Sequence, residues 1–131
     1  DGKNIPDADM IIVVIGEKPY SEGWGDRESL DLSKENKKIL KRVKKKNLPY
    51  LIILISGRPM IIESELKDCD AFIAAWLPGT EGSGIADVVY GDYNPTGKLS
   101  MSWPRSMKQI PINIGDKSYD PLFSFGYGLT Y

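Results

Sequence analysis

Histidine is absent from this chain, and cysteine occurs once, at Cys69. Without an imidazole, Ser-His-Asp and Cys-His nucleophile systems are excluded, along with most zinc sites. A single thiol cannot close an intramolecular disulfide, which leaves the redox compartment open. With no base to activate it, Cys69 reads as a small buried hydrophobe. No apolar run approaches the roughly 18 residues of a membrane span, and no signal-peptide pattern occurs. An excess of charge of either sign is missing too. Seventeen basic residues against 18 acidic ones give a formal net charge of -1, so no global field recruits nucleic acid or anionic lipid. The chemistry left open is that of carboxylates.

What is present suits a globular α/β domain. The 131 residues fit one domain and can bury a core without disulfides or metals. Apolar runs occur at Met10–Ile15, Tyr50–Ile55, Ala71–Ala75 and Leu99–Trp103. The first three are short, rich in Ile, Val, Leu or Phe, and bounded by polar or Gly/Pro segments, the pattern of buried parallel strands. Between the first two, Ile39, Leu40 and Val43 follow helical spacing, with Leu32 just before them. This predicts a helix over 33–46, with Ser33 as its N-cap and Pro49 as its stop. Lys41, Arg42, Lys44, Lys45 and Lys46 crowd its last turns, where cations favour the negative end of the dipole. On a helix face such a run reads as solvated surface rather than as a nucleic-acid site. Further helices are expected over 61–67 and 83–90, the latter ending at Gly91. The alternation of strands and helices, closing on Leu99–Trp103 as a fourth strand, indicates a layered α/β fold with helices on the sheet faces. The last third, 92–131, has many aromatics and little helical periodicity, and is expected to be an ordered but irregular wrap. Phe123, Phe125, Tyr127 and Tyr131 are expected to pack against the sheet or a neighbouring domain. Asp1–Asn4 read as a processed or engineered start.

The stretch Gly16-Glu17-Lys18-Pro19-Tyr20-Ser21-Glu22-Gly23-Trp24-Gly25-Asp26 directly follows the first strand. In open α/β folds, ligands bind in the crevice beyond the carboxyl ends of the strands. Three carboxylates and two aromatic rings suit a sugar, because acids bond hydroxyls or move protons while rings pack on the apolar faces of pyranoses. A polar surface turn would use the same residues. Glycoside hydrolysis typically needs two carboxyl groups, and the proton donor needs partial burial or a like-charged neighbour. Glu17, Glu22 and Asp26 all qualify by proximity, and the pattern does not choose among them.

Two further Gly-rich segments, Ser56-Gly57-Arg58-Pro59 and Pro78-Gly79-Thr80-Glu81-Gly82-Ser83-Gly84, follow the second and third strands. Neither fits a dinucleotide or phosphate-loop pattern. Their glycines permit tight turns, and Arg58 is placed to reach a carboxylate or to cap a strand end.

Taken together, these residues resemble the second domain of glycoside hydrolase family 3, the β-glucosidase and exo-β-glucanase family. The resemblance runs through Gly16–Glu22, Gly25-Asp26, Leu30-Asp31-Leu32, Ile55–Pro59, Ala74–Gly82, Gly91–Leu99, Ser102–Ser106 and Tyr119–Tyr131, covering about residues 8–131. It implies an α/β sandwich with a mostly parallel sheet and helices on both faces, here truncated at its N-terminal side, so that residues 1–131 are part of that second domain. It implies a retaining, exo-acting enzyme whose (β/α)8-like barrel supplies the nucleophilic Asp. It assigns the general acid/base of the Pro-Tyr-Ser/Thr-Glu loop to Glu22 and a supporting place to Glu17, and it implies neither a metal nor a redox cofactor. In this reading Tyr20 and Trp24 contact a β-linked glucoside or oligosaccharide, and Asp26 and Arg58 support the site.

No segment resembles the family's nucleophile motif, nor the barrel or the first strand of the second domain. The chain alone is therefore expected to hold the acid without the nucleophile and to be inactive without a barrel domain of the same enzyme. The alternative is a non-catalytic carbohydrate-binding or protein-interaction domain. An unprotected sheet edge also invites a homo-oligomer.

Overall fold

A computed structural model describes residues 5–131 of the chain; the expectation for Asp1–Asn4 lies outside the described residues. The chain forms two compact units, Asp1–Leu77 and Pro78–Tyr131.

The first unit is built on three parallel strands, β1 (Ile11–Gly16), β2 (Tyr50–Ile55) and β3 (Ala71–Trp76), in the order β1-β2-β3. Helix α1 (Lys34–Lys44) connects β1 to β2, and the single turn α2 (Glu63–Leu66) connects β2 to β3. This is the α/β class that the strand–helix alternation predicts. Ser33 caps α1 by accepting the Asn36 backbone N–H at 3.1 Å. The helix ends before Pro49 is reached. Asn47, at φ 53°, takes the left-handed conformation and donates its N–H to the Lys44 carbonyl, an ending that Asn tolerates better than other L-residues. The second predicted helix shrinks to α2, because Met60 and Ile62 ahead of it are committed to the core.

Burial runs along β2, where Leu51, Ile52, Ile53 and Leu54 are all buried and Leu54 is 0% exposed. Helix α1 packs against β1; its Leu40 and Val43 are buried, as are Val13 and Ile15 of the strand. The other face of β1 is open, with Ile12 and Val14 exposed, and β3 is only half-buried. Full burial on both faces is therefore correct for β2 alone. A central strand has a neighbour on each side, and the outer two do not. Gly16 ends β1 because it lies against the Ile55 carbonyl, where a Cβ would collide.

The second unit contains α3 (Gly82–Tyr90), which Gly91 ends at φ 84°, matching the expected helix and its stop. The expected fourth strand is not formed. Leu99–Trp103 makes hydrogen bonds with 122–127 instead: Trp103 N–H to the Phe123 carbonyl at 2.8 Å and Leu99 N–H to the Tyr127 carbonyl at 2.8 Å, with one isolated antiparallel bridge. Pro104, which has no N–H to donate, cuts the run short of a ladder. Trp103 is buried, Phe123 meets it edge-on at 6.1 Å, and Tyr127 stacks on Phe123 at 4.6 Å. Phe125, Tyr127 and Tyr131 are exposed within this chain, so of the four rings expected to pack against the sheet or a neighbouring domain only Phe123 is largely covered here. A unit this small lacks the interior to enclose them. Tyr119 ties the unit together, bonding Ser102 Oγ at 2.8 Å and accepting the Phe125 N–H at 3.2 Å. Among the described residues, no helix is long and apolar enough to cross a membrane.

Candidate functional site

The carboxyl ends of the three strands in the first unit lie at Gly16, Ile55 and Trp76. The chain leaves β1 at Glu17, whose N–H still reaches the Ile55 carbonyl at 3.1 Å. It rejoins the body near Asp31, which forms a parallel bridge with Ile61, while Leu30 accepts the Ile61 N–H at 2.9 Å. Residues 17–31 are thus a loop over the sheet edge, and one 3-10 turn, Glu22–Gly25, lies within it.

Glu17 is the centre of this loop's polar structure. Its side chain is only 6% exposed, and three neighbours aim donors at it. Arg27 Nη1 lies 2.7 Å from Oε1. Arg58 gives Nη2 to Oε1 at 3.0 Å and Nε to both oxygens at 3.2 Å. The Tyr20 hydroxyl donates to Oε2 at 3.2 Å. Charge-assisted, forked bonds of this kind are the strong ones. The hydrogen bonds that Arg58 donates to Glu17, foremost, raise the guanidinium above its already high ordinary pKa, and the charges of Glu17, Tyr20 and Asp26 add to this against the opposing effect of burial. Arg58 also lies over the Tyr20 ring at 4.4 Å from its centroid, a cation–π contact. Its carbonyl accepts from the buried Ser56 hydroxyl at 2.8 Å.

Tyr20 is wedged into place by the absence of side chains around it. A Cβ on Gly25 would run into its ring, and one on Gly57 would lie 2.8 Å from its hydroxyl. Asn36, on the first turn of α1, donates Nδ2 to the Gly16 carbonyl at 2.8 Å and so links the helix to the start of the loop. Beside these residues is an open cavity of about 450 Å3, lined in part by Glu17, Tyr20, Trp24, Arg27, Asn36 and Arg58.

The sequence-predicted residues thus divide. Glu17, Tyr20 and Arg58 come together as one cluster, with every donor committed to the same carboxylate. Glu22 opens the 3-10 turn at φ 45°, a conformation uncommon for a residue other than glycine. Its side chain is exposed, and among the described residues no hydrogen bond or ion pair engages that side chain. Trp24 is 93% exposed, with its indole on the cavity rim. Asp26 is exposed, and its charge adds to the field that keeps Arg58 protonated. Sequence reasoning missed Arg27 and Asn36. Both lie in charged or polar stretches with no motif to single them out. The available signal was charge complementarity between Glu17 and a nearby Arg. Among the described residues, no three His, Cys, Asp or Glu side chains are grouped to hold a metal ion.

Known proteins are similar to this chain in sequence and fold. The family model described as the glycosyl hydrolase family 3 C-terminal domain matches residues 2–131. A periplasmic beta-glucosidase of Salmonella typhimurium is 35% identical across 95% of this chain and 19% of its own length. A xylan 1,4-beta-xylosidase of Xylanibacter ruminicola is 39% identical across 82% of this chain and 14% of its own. Among solved structures, an exo-1,3/1,4-beta-glucanase from a Pseudoalteromonas species superposes with a TM-score of 0.89 at 47% identity, covering 98% of this chain and 17% of that one. A beta-glucosidase from Listeria innocua gives 0.84 at 30% identity, covering 94% and 20%. The chain spans about a fifth or less of the length of the curated relatives it matches.

Proposed function

Because this chain belongs to the glycosyl hydrolase family 3 C-terminal domain family, we propose that it works as the α/β domain of a larger retaining β-glycosidase and supplies the general acid/base, Glu22. One observation carries the assignment. Of the three carboxylates in the Gly16–Asp26 stretch, Glu17 is saturated by Arg27, Arg58 and Tyr20. Glu22 is held out on a turn, with nothing bonded to its side chain among the described residues. Asp26 is shorter, and its charge acts on Arg58.

In this reading Glu22 protonates the glycosidic oxygen as the bond to the sugar breaks, then takes a proton from the water that resolves the glycosyl intermediate. The nucleophilic Asp belongs to a barrel domain of the same enzyme, with the two carboxyls about 5–5.5 Å apart, as retention requires. The activities named for the relatives favour β-glucosides or β-glucan oligosaccharides as substrates, with β-xylosides as the near variant. Trp24 offers an exposed ring at the cavity rim for the leaving sugar, and Tyr20 shapes the floor beneath it.

The test is Glu22→Gln in the barrel-containing enzyme. Removing a general acid costs about 10²–10⁴-fold when the leaving group needs a proton, and little when it departs unaided. The variant should therefore lose kcat/KM on a phenyl glucoside and retain most of it on a dinitrophenyl glucoside, whose kcat falls because the second step loses its base. Undiminished turnover of the phenyl glucoside would sink the assignment.

A further inference from the structure

Main-chain hydrogen bonding between the Glu22 loop and the sheet stops at Glu17 N–H and resumes at the Leu30 carbonyl. Between these points the main-chain bonds among the described residues, that of Asp26 N–H to the Gly23 carbonyl included, lie within the 3-10 turn itself. The turn is therefore tethered by side chains, and the tethers differ in kind. Tyr20 and Arg58 hold the outgoing arm: Arg58 is fixed to the end of β2 through Ser56, and it carries both the Glu17 carboxylate and the Tyr20 ring. The returning arm is held by Arg27. Its Nη1 bonds Glu17 Oε1 at 2.7 Å and its Nη2 bonds the Asp31 carbonyl at 3.1 Å. One guanidinium thus joins the first residue of the loop to the last, with Glu22 midway in sequence between Glu17 and Arg27.

We propose that Arg27 is the positioning residue of this loop: by clamping Glu17 and the Asp31 carbonyl together, it fixes where Glu22 is presented. The inference rests on Glu22 being the proton donor. Glu22 occupies a left-handed conformation that its own backbone does not favour, so the surroundings must hold it there. Arg58 keeps Glu17 paired when Arg27 is lost, and the sheet end survives. The returning arm then swings, and the acid moves with it. Lysine at this position reaches the carboxylate but cannot fork to the carbonyl as well, because its ammonium is a point charge on a flexible stem.

The experiment compares Glu22→Gln, Arg27→Gln and Arg27→Lys in the intact barrel-containing enzyme, with kcat/KM on a phenyl and a dinitrophenyl β-glucoside and a thermal melt for each. A displacement of about 1 Å costs up to about 100-fold. Arg27→Gln should therefore lose about 10- to 100-fold on the phenyl glucoside alone, with Arg27→Lys between it and the parent. Equal losses on both substrates, or no loss on either, would overturn the positioning role, since a merely structural residue does not discriminate leaving groups. Should Arg27→Gln not fold, Arg27→Lys carries the same comparison with the charge retained. The Glu22→Gln arm separates the two claims. If it shows no selective loss, the acid/base assignment falls; if it does and the Arg27 variants do not, only the positioning role falls.

Discussion

Replacing Glu17 by Gln changes almost nothing in shape and removes the anion that two guanidinium groups share. The amide keeps one acceptor oxygen and turns a donor toward Arg27 and Arg58. Breaking a fully buried pair costs about 3–5 kcal/mol, whereas exposed pairs contribute about 0–1 kcal/mol. This site lies between those limits. The carboxylate side chain is 6% exposed, but the Arg58 and Arg27 side chains are 23% and 36% exposed, so water compensates part of what they lose. The expected loss is about 2–3 kcal/mol. For a chain of this size that lowers Tm by about 10 °C. Urea unfolding followed by circular dichroism is the assay, and the midpoint should fall with the slope m unchanged. A double-mutant cycle sharpens the result. In the Glu17→Gln background, Arg27→Gln should cost about 1 kcal/mol less than it does alone. A Glu17→Gln loss under about 0.5 kcal/mol, the range of an ordinary surface change, would refute the claim that this carboxylate organises the loop.

Leu54→Ala at the fully buried centre of β2 should destabilise by about 3–5 kcal/mol, read from the same urea midpoint. Trp24→Ala should leave stability within about 0.5 kcal/mol, because the indole is 93% exposed, and should raise KM for an oligosaccharide more than for a simple aryl glucoside. Tyr50 is buried; that burial, followed by the charges of Asp68, Cys69, Asp70 and Glu65, raises its phenol pKa above the usual 10.0. A raised folded pKa means that the native state holds its proton longer than the unfolded one. Its stability contribution is thus complete below pH 10.0 and lost as pH climbs through the folded value. Tyr50→Phe, which cannot ionise, should flatten the alkaline limb of a stability-versus-pH profile.

The local elements of this protein were legible because each answers to a rule with a short reach. The three parallel strands fall within one residue of the apolar runs. Ser33 caps α1 where a hydroxyl precedes a helical period, and Gly91 ends α3 where the backbone turns left-handed. The loop after β1 was legible as a site because strand ends of a parallel sheet are where polar groups collect. Rules of short reach failed where pairing partners decide. Leu99–Trp103 has the composition of a strand, but its hydrogen bonds go to 122–127, and composition does not name a partner. The open face of β1 follows from its neighbours rather than from its residues, which are as apolar as those of β2.

The candidate site divides along the same line. Sequence by itself, with histidine absent, left carboxylates as the candidate groups and placed Glu17, Glu22 and Asp26 on the β1 loop. Which carboxylate is engaged was decided only by tertiary structure, because Glu17 is joined to Arg58 across 41 positions and to Arg27 across 10. An ion pair is a matter of distance in space. Only the folded sheet edge brings β1 beside β2, so that one acid is consumed as an anchor and another is left exposed.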